Sequence, residues 1–225
     1  MQNYSIIIPI HNEEKSIPDL LDALKCFIKD GHEIVIIDDG STDGGKEYLK
    51  SFNNIKLISI VTNKGKGYAV KLGIEKASRD KIIIFDGDLE LNPSEITKLM
   101  ILDKDNGIIA AMGYRFNRLN PIKSRFDFGN FIFTTLFNIL FNTNHKDVLC
   151  CAKAFYANDI KRYKIKSNNF DIDVELTASL TIACKKKIPQ ILIKYKRRNI
   201  EEGKKLKVSD GLSILLRITK MVKYF

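Results

Sequence analysis

Lys81-Ile82-Ile83-Ile84-Phe85 runs directly into Asp86-Gly87-Asp88-Leu89-Glu90. The first five read as a buried strand, because a short run of β-branched and aromatic residues packs well in a sheet covered on both faces. Three acids at alternate positions follow, and they repel one another unless a positive group sits among them. A hard divalent cation is the simplest such group, since Mg²⁺ or Mn²⁺ takes a few carboxylate oxygens and completes its shell with phosphate or water. An isolated Asp-x-Asp is more often a solvated turn, so the surrounding chain has to decide.

Upstream, strand and helix signals alternate. Tyr4 to Ile10 is an apolar strand stopped near Pro9, and His11-Asn12-Glu13-Glu14 is a polar loop at its end. Ser16, Pro18 and Asp19 start a helix whose apolar face is Leu20, Leu21, Leu24, Phe27 and Ile28. Glu33 to Ile37 is a strand feeding the loop Asp38 to Gly45; a short helix to Phe52 and the strand Ile55 to Val61 follow. Asn63-Lys64-Gly65-Lys66-Gly67 opens a helix reaching Ala77, and Asn92-Pro93-Ser94-Glu95 opens the next one after the acidic turn. Such alternation predicts a parallel sheet with helices on both faces, which binds ligands at the carboxyl ends of its strands.

Downstream the pattern changes. Gly107 to Met112, Val148 to Tyr156 and Gln190 to Tyr195 read as strands, and Asp173 to Lys185 as a helix. Arg115, Arg118, Lys123 and Arg125 precede a run carrying Phe126, Phe128, Phe131, Phe133, Phe137 and Phe141. Most of these rings are expected in the core; the sharper reading has some lining a greasy groove with arginines at its mouth. Ser209 caps a last helix with Leu212, Leu215, Ile218, Met221, Val222 and Phe225 apolar and Arg217, Lys220 and Lys223 between them. Such a helix packs on its own domain or lies on a membrane. The expected division is a domain over 1–208, in halves of about 1–112 and 113–208, and the helix 209–225.

With 225 residues and 44% hydrophobic content the chain suits one large domain with an appendage. Charged Glu13, Glu14 and Lys15 arrive before any long apolar run, and no stretch approaches the roughly 20 apolar residues that span a bilayer. A cytoplasmic protein is expected. The net charge is +10, and residues 185–225 hold 13 Lys and Arg against 3 acids, so all the excess lies there. Nucleic acid, substrate phosphates or an anionic membrane surface suit such a tail. Cys26, Cys150, Cys151 and Cys184 lack metal-ligand spacing and are expected to be buried thiols.

Four motifs stand in order: Ile8-Pro9-Ile10-His11-Asn12-Glu13-Glu14, Ile37-Asp38-Asp39-Gly40-Ser41, Asn63-Lys64-Gly65-Lys66-Gly67 and Asp86-Gly87-Asp88. With them the chain resembles family 2 glycosyltransferases of the GT-A fold. Met112-Gly113-Tyr114-Arg115, Asp173-Val174-Glu175-Leu176 and Gly203-Lys204-Lys205-Leu206 look like blocks of the dolichyl- or polyprenyl-phosphate mannosyl- and glucosyltransferases. The resemblance implies an α/β, Rossmann-like, mostly parallel sheet plus the C-terminal amphipathic helix. It implies a nucleotide sugar (UDP- or GDP-hexose) held by Pro9, His11, Glu13, Asp38, Asp39, Lys66, Asp86, Gly87 and Asp88, with Arg198 and Lys205 closing on phosphates. Mg²⁺ or Mn²⁺ would sit on Asp86, Asp88 and Glu90, and Arg115 and Arg125 would grip the phosphate of a polyprenyl acceptor.

A phosphate oxygen is already anionic near neutral pH, so that acceptor requires no strong base. A sugar hydroxyl would require one, and Asp173 and Glu175 are the candidates, unless they merely begin a helix. The expectation is therefore an inverting hexosyltransferase, peripheral at the inner face of the membrane, with a membrane-spanning partner an open possibility and no nucleic acid. The alternatives are transfer to a surface glycan, or a non-catalytic nucleotide-sugar or nucleic-acid binder. Cys150-Cys151 and Lys204 depart from the family pattern on the acceptor side, and the absence of Trp speaks against processive polysaccharide synthases.

Overall fold

In the computed structural model, which describes residues 3–116, 124–185, 187–198, 205 and 210–224, the first half of the chain alternates as its patterning predicts. The order is β1 (Tyr4–Ile10), α1 (Ile17–Lys29), β2 (Glu33–Asp39), α2 (Gly45–Ser51), β3 (Lys56–Ile60), α3 (Lys66–Lys76) and β4 (Lys81–Ile84). Asn92 caps the next element by accepting the Ser94 N–H at 3.0 Å, but that element is a 3₁₀ helix, Pro93–Leu99. Then come β5 (Ala110–Tyr114), α4 (Arg125–Phe141), β6 (Lys153–Tyr156), α5 (Ala157–Lys161), α6 (Ile172–Ala183), β7 (Gln190–Leu192) and α7 (Asp210–Val222).

The strands form one seven-stranded sheet in the order β3-β2-β1-β4-β6-β5-β7, in which only the pairings of β6 are antiparallel. Period-2 alternation sorts the core. Ile6, Ile8 and Ile10 pack with α1 residues on one face, whereas Ile7, Val35 and Ile37 pack with α3 and α6 residues on the other. Each such buried isoleucine contributes roughly 1.5–3 kcal/mol. Chain order reverses between β1 and β4, and the crevice outside a switch of this kind is where open α/β sheets take ligands.

Three expectations need correction. The strand foreseen at Val148 to Tyr156 starts only at Lys153, because helix side chains satisfy the Val148 backbone: Thr134 Oγ1 accepts its N–H and Thr177 Oγ1 donates to its carbonyl. The strand foreseen to Tyr195 stops at Leu192, after which the chain crosses to residues 90–92, with a bridge between Leu91 and Tyr195. Cys26 is exposed on α1 and Cys184 half-buried, so only Cys150 and Cys151 are buried thiols. Arg118, Lys123, Gly203, Lys204 and Ser209 lie outside the described residues.

The phenylalanine run is α4, whose residues 128–141 carry no charge. Phe137 and Phe141 stack at 4.2 Å in a third core cluster with Val174 of α6 and Ile214, Ile218 and Met221 of α7. Phe128, Phe131, Ile132, Ile139 and Leu140 are exposed, as are Leu212, Leu215 and Leu216 of α7.

Candidate active site

A cleft of about 490 Å³ opens at the carboxyl ends of β1, β2 and β4 and runs on to the first turns of α4 and α7. It gathers the predicted site residues except Asp38, Arg125 and Glu175. The sheet brings its floor together. Phe85 N–H bonds the Ile7 carbonyl at 3.0 Å, extending the β4 ladder by one residue, and a Cβ on Gly87 would stand only 2.5 Å from Ile10 Cγ2. Glycine there lets the acidic turn pass against β1.

Asp39, buried at the end of β2, accepts the N–H groups of Lys64 and Gly65, each at 2.8 Å. Gly65 has φ +94 and backs onto the Asn168 carbonyl, a conformation and an approach that suit glycine alone. These contacts fix the start of α3 and place Lys66 Nζ 2.8 Å from Asp86 Oδ2 and 3.0 Å from Asp173 Oδ2. Asp38 is turned inward and caps its own loop through the Ser41 N–H at 3.0 Å.

The far end of the chain closes the other side. Arg198 forks onto Glu13 at 2.7 and 3.0 Å and stands 3.3 Å from Asp88, while Lys205 donates to Glu13 and to the His11 carbonyl. Burial alone would raise the Glu13 pKa, but Arg198 and Lys205 outweigh it and hold that carboxyl below its ordinary range. Asp88 is pushed the other way, up to about 6, by burial and by the neighbouring charge of Asp86, with Arg198 opposing.

The metal expectation fits two residues better than three. Asp86 Oδ1 is buried with no hydrogen-bond partner, so one oxygen of the pair is unused. Leu89 adopts φ +59, unusual for a non-glycine residue, and the turn it makes sends Glu90 elsewhere: its Oε1 accepts the Arg198 N–H at 2.9 Å. Among the described residues no three His, Cys, Asp or Glu side chains form a ready-made metal cage. A divalent cation that takes one or two carboxylates and the rest of its shell from phosphates suits Asp86 and Asp88.

The opposite wall, toward α4 and Tyr195, is apolar and pre-paired. Arg115 lies 5.4 Å from the Phe116 and Tyr195 rings, and its guanidinium forks onto Asp147 at 2.7 and 3.0 Å. The Asp147 side chain is 0% exposed and also accepts from Asn130 at 3.0 Å. Arg197 forks onto Asp127 at 2.5 and 2.7 Å and donates to Ser124, the cap of α4. Asp127, Asn130 and Asp147 were absent from the sequence expectation; Ser124-x-x-Asp127 is a helix-start signal that could have drawn attention to the first.

Besides Asp38, two expected residues are not in the cleft. Arg125 is exposed, over the ring of its neighbour Phe126, and the arginine that reaches this wall is Arg197. Glu175 is buried two residues beyond Asp173, on a different face of α6, where it accepts the Lys166 and Ser167 N–H groups and pairs with Arg217 of α7. It ties α7 to α6 and has no free oxygen aimed at the cleft lining. Cys151 does line the cleft, but burial pushes its thiol well above the ordinary range, which favours the neutral thiol.

A family model described as Glycosyl transferase family 2 matches residues 5–164. Undecaprenyl-phosphate 4-deoxy-4-formamido-L-arabinose transferase of Aeromonas hydrophila is 35% identical over 104 residues, 43% of this chain and 32% of that protein. Its Yersinia pestis (strain Pestoides F) counterpart is 35% identical over 108 residues, 44% of this chain and 33% of that one. The matched stretch thus spans about a third of these relatives. Among solved structures, glucosyl-3-phosphoglycerate synthase from Mycobacterium tuberculosis, in complex with Mn²⁺, UDP and glucosyl-3-phosphoglycerate, superposes with a TM-score of 0.76. The two share 14% identity, covering 99% of this chain and 80% of that one, and the likeness shows a common fold.

Proposed function

Because this chain belongs to glycosyl transferase family 2, we propose that it moves a hexose from a UDP- or GDP-sugar to a polyprenyl phosphate at a membrane surface. The observation that carries this reading is the double lining of one cleft. Its nucleotide side is acidic and holds an unused carboxylate oxygen, and its other side pairs arginines with phenyl rings, as an anionic head on an apolar tail requires.

In this reading Pro9, His11, Glu13 and Asp39 surround the base and ribose, and Asp86 and Asp88 hold Mg²⁺ or Mn²⁺. Such a cation supplies neutralisation of the charge that develops on the leaving nucleoside diphosphate. Arg198, beside Asp88 and Glu13, and Lys205, beside Glu13, offer N–H donors to those phosphates. Arg115 and Arg197, each held by a carboxylate, keep further N–H groups for the acceptor phosphate, whose anionic oxygen attacks the anomeric carbon and inverts it. Asp173 is occupied by Lys66, which favours the acceptor that needs no base.

No helix of the described residues is long and apolar enough to cross a membrane. The exposed apolar faces of α4 and α7, which share their first turns with the cleft, support peripheral contact with a bilayer instead. The test incubates the protein with labelled nucleotide sugars and short polyprenyl phosphates, with Mg²⁺, Mn²⁺ or chelator. Label is expected in the lipid fraction and lost with chelator; label only on a glycan acceptor would overturn the lipid reading.

A further inference from the structure

Each carboxylate assigned to the divalent cation already faces a protein cation. Asp88 lies 3.3 Å from Arg198, and Asp86 lies 2.8 Å from Lys66. The lysine is the unusual member. Its side chain is 12% exposed, its Nζ also lies 3.0 Å from Asp173, and its backbone is held on both flanks. Asp39 fixes the preceding turn, and Gly65 and Gly67 pack directly against the backbone of Ser167 and Asn168. Burial alone would favour the neutral amine, but the charges of Asp173 and Asp86 outweigh it and keep the ammonium form.

We propose that Lys66 is the resident counter-ion of this site in the free protein. It occupies Asp86, opposes a divalent cation that arrives alone, and yields when the cation comes with a nucleoside diphosphate. The reason lies in the charges. A lone cation adds positive charge beside an ammonium that the fold confines, whereas a diphosphate supplies negative oxygens for both. Cation and nucleotide binding are therefore coupled through Lys66, and each strengthens the other by the same factor. The inference rests on the metal reading above and concerns binding, not transfer.

The experiment titrates Mn²⁺ into the full chain, following the EPR signal of the free ion, without nucleotide and with UDP or GDP. Lys66→Gln is expected to bind Mn²⁺ alone about tenfold more tightly than the wild type, and to lose a similar factor of the nucleotide coupling. Lys66→Arg keeps the charge and stays near wild type. Asp173→Asn shifts the other way, because Lys66 then rests on Asp86 alone. Unchanged or weaker Mn²⁺ binding by a folded Lys66→Gln protein, checked by circular dichroism, overturns the counter-ion role. Were no protein to bind Mn²⁺ even with nucleotide, the metal reading would fall with it. Failure of lipid labelling with this Mn²⁺ pattern intact would remove only the lipid acceptor.

Discussion

The two sides of the cleft handle charge in opposite ways. On the side proposed for the nucleotide the acids outnumber their local partners and borrow cations from far along the chain: Arg198 and Lys205 for Glu13, and Lys66 shared between Asp86 and Asp173. On the side proposed for the acceptor, Arg115 and Arg197 each rest on a buried carboxylate, Asp147 and Asp127 respectively. The first arrangement is poised to exchange partners when a ligand brings its own charges. The second is rigid, and it presents positive charge from a fixed position.

The largest effect expected from this contrast is on transfer itself. Replacing Asp88 by Ala should lower the transfer rate by on the order of a thousandfold, the scale on which electrostatic stabilisation is lost. Its thermal midpoint should not fall, since the change removes one of two neighbouring acids. A clear drop in midpoint would mean that the nucleotide side is as structural as the acceptor side.

Asp147→Ala should behave in the reverse manner. It strands Arg115 in a buried position, and the loss of a buried partner costs about 3–5 kcal/mol, readable from urea unfolding. Loss of activity without loss of stability would erase the distinction between the two sides.

Acid separates them as well. His145 packs against Phe137, its Nε2 is 2.8 Å from Thr181 Oγ1, and burial together with the charge of Lys153 lowers its pKa to about 4. The unfolded chain therefore takes up this proton first, and stability falls as pH drops from about 6.5 towards 4, by up to roughly 3 kcal/mol. Glu13, whose folded pKa is depressed, loses its contribution only at lower pH. Unfolding curves between pH 7 and 4.5 should flatten for His145→Gln and stay steep for Glu13→Gln.

The smallest effect concerns the outer faces. Ile214, Ile218 and Met221 of α7 are buried, so deleting the helix would expose core, and surface charges are the cleaner probe. Phe131→Glu with Ile132→Glu is expected to cut sedimentation with anionic liposomes severalfold, with nucleotide affinity unchanged. Equal sedimentation would count against a bilayer on α4.

That the acidic motifs meet on one side of the cleft was legible in the sequence because those motifs are local. Each motif there follows a strand whose apolar run announces it, and the switch between β1 and β4 brings those strand ends together without further instruction. The acceptor side was not, for two reasons. Helix α4 is apolar all round, so it shows no amphipathic period to announce a helix. Its partners are also remote, and proximity in sequence put Arg125 beside the phenylalanines where the fold puts Arg197.

The sequence by itself determined the α/β class, the parallel half of the sheet, the acidic turn at Asp86 to Glu90 and the basic character of the last segment. These depend on residue type and short spacing, which local sterics and solvation translate directly. Only the tertiary structure decided that Glu90 holds the Arg198 backbone, that Glu175 anchors α7, and that Lys66 joins Asp86 to Asp173. Each is a contact between groups tens to more than a hundred residues apart, set by how the layers pack and by the need of every buried charge for a partner.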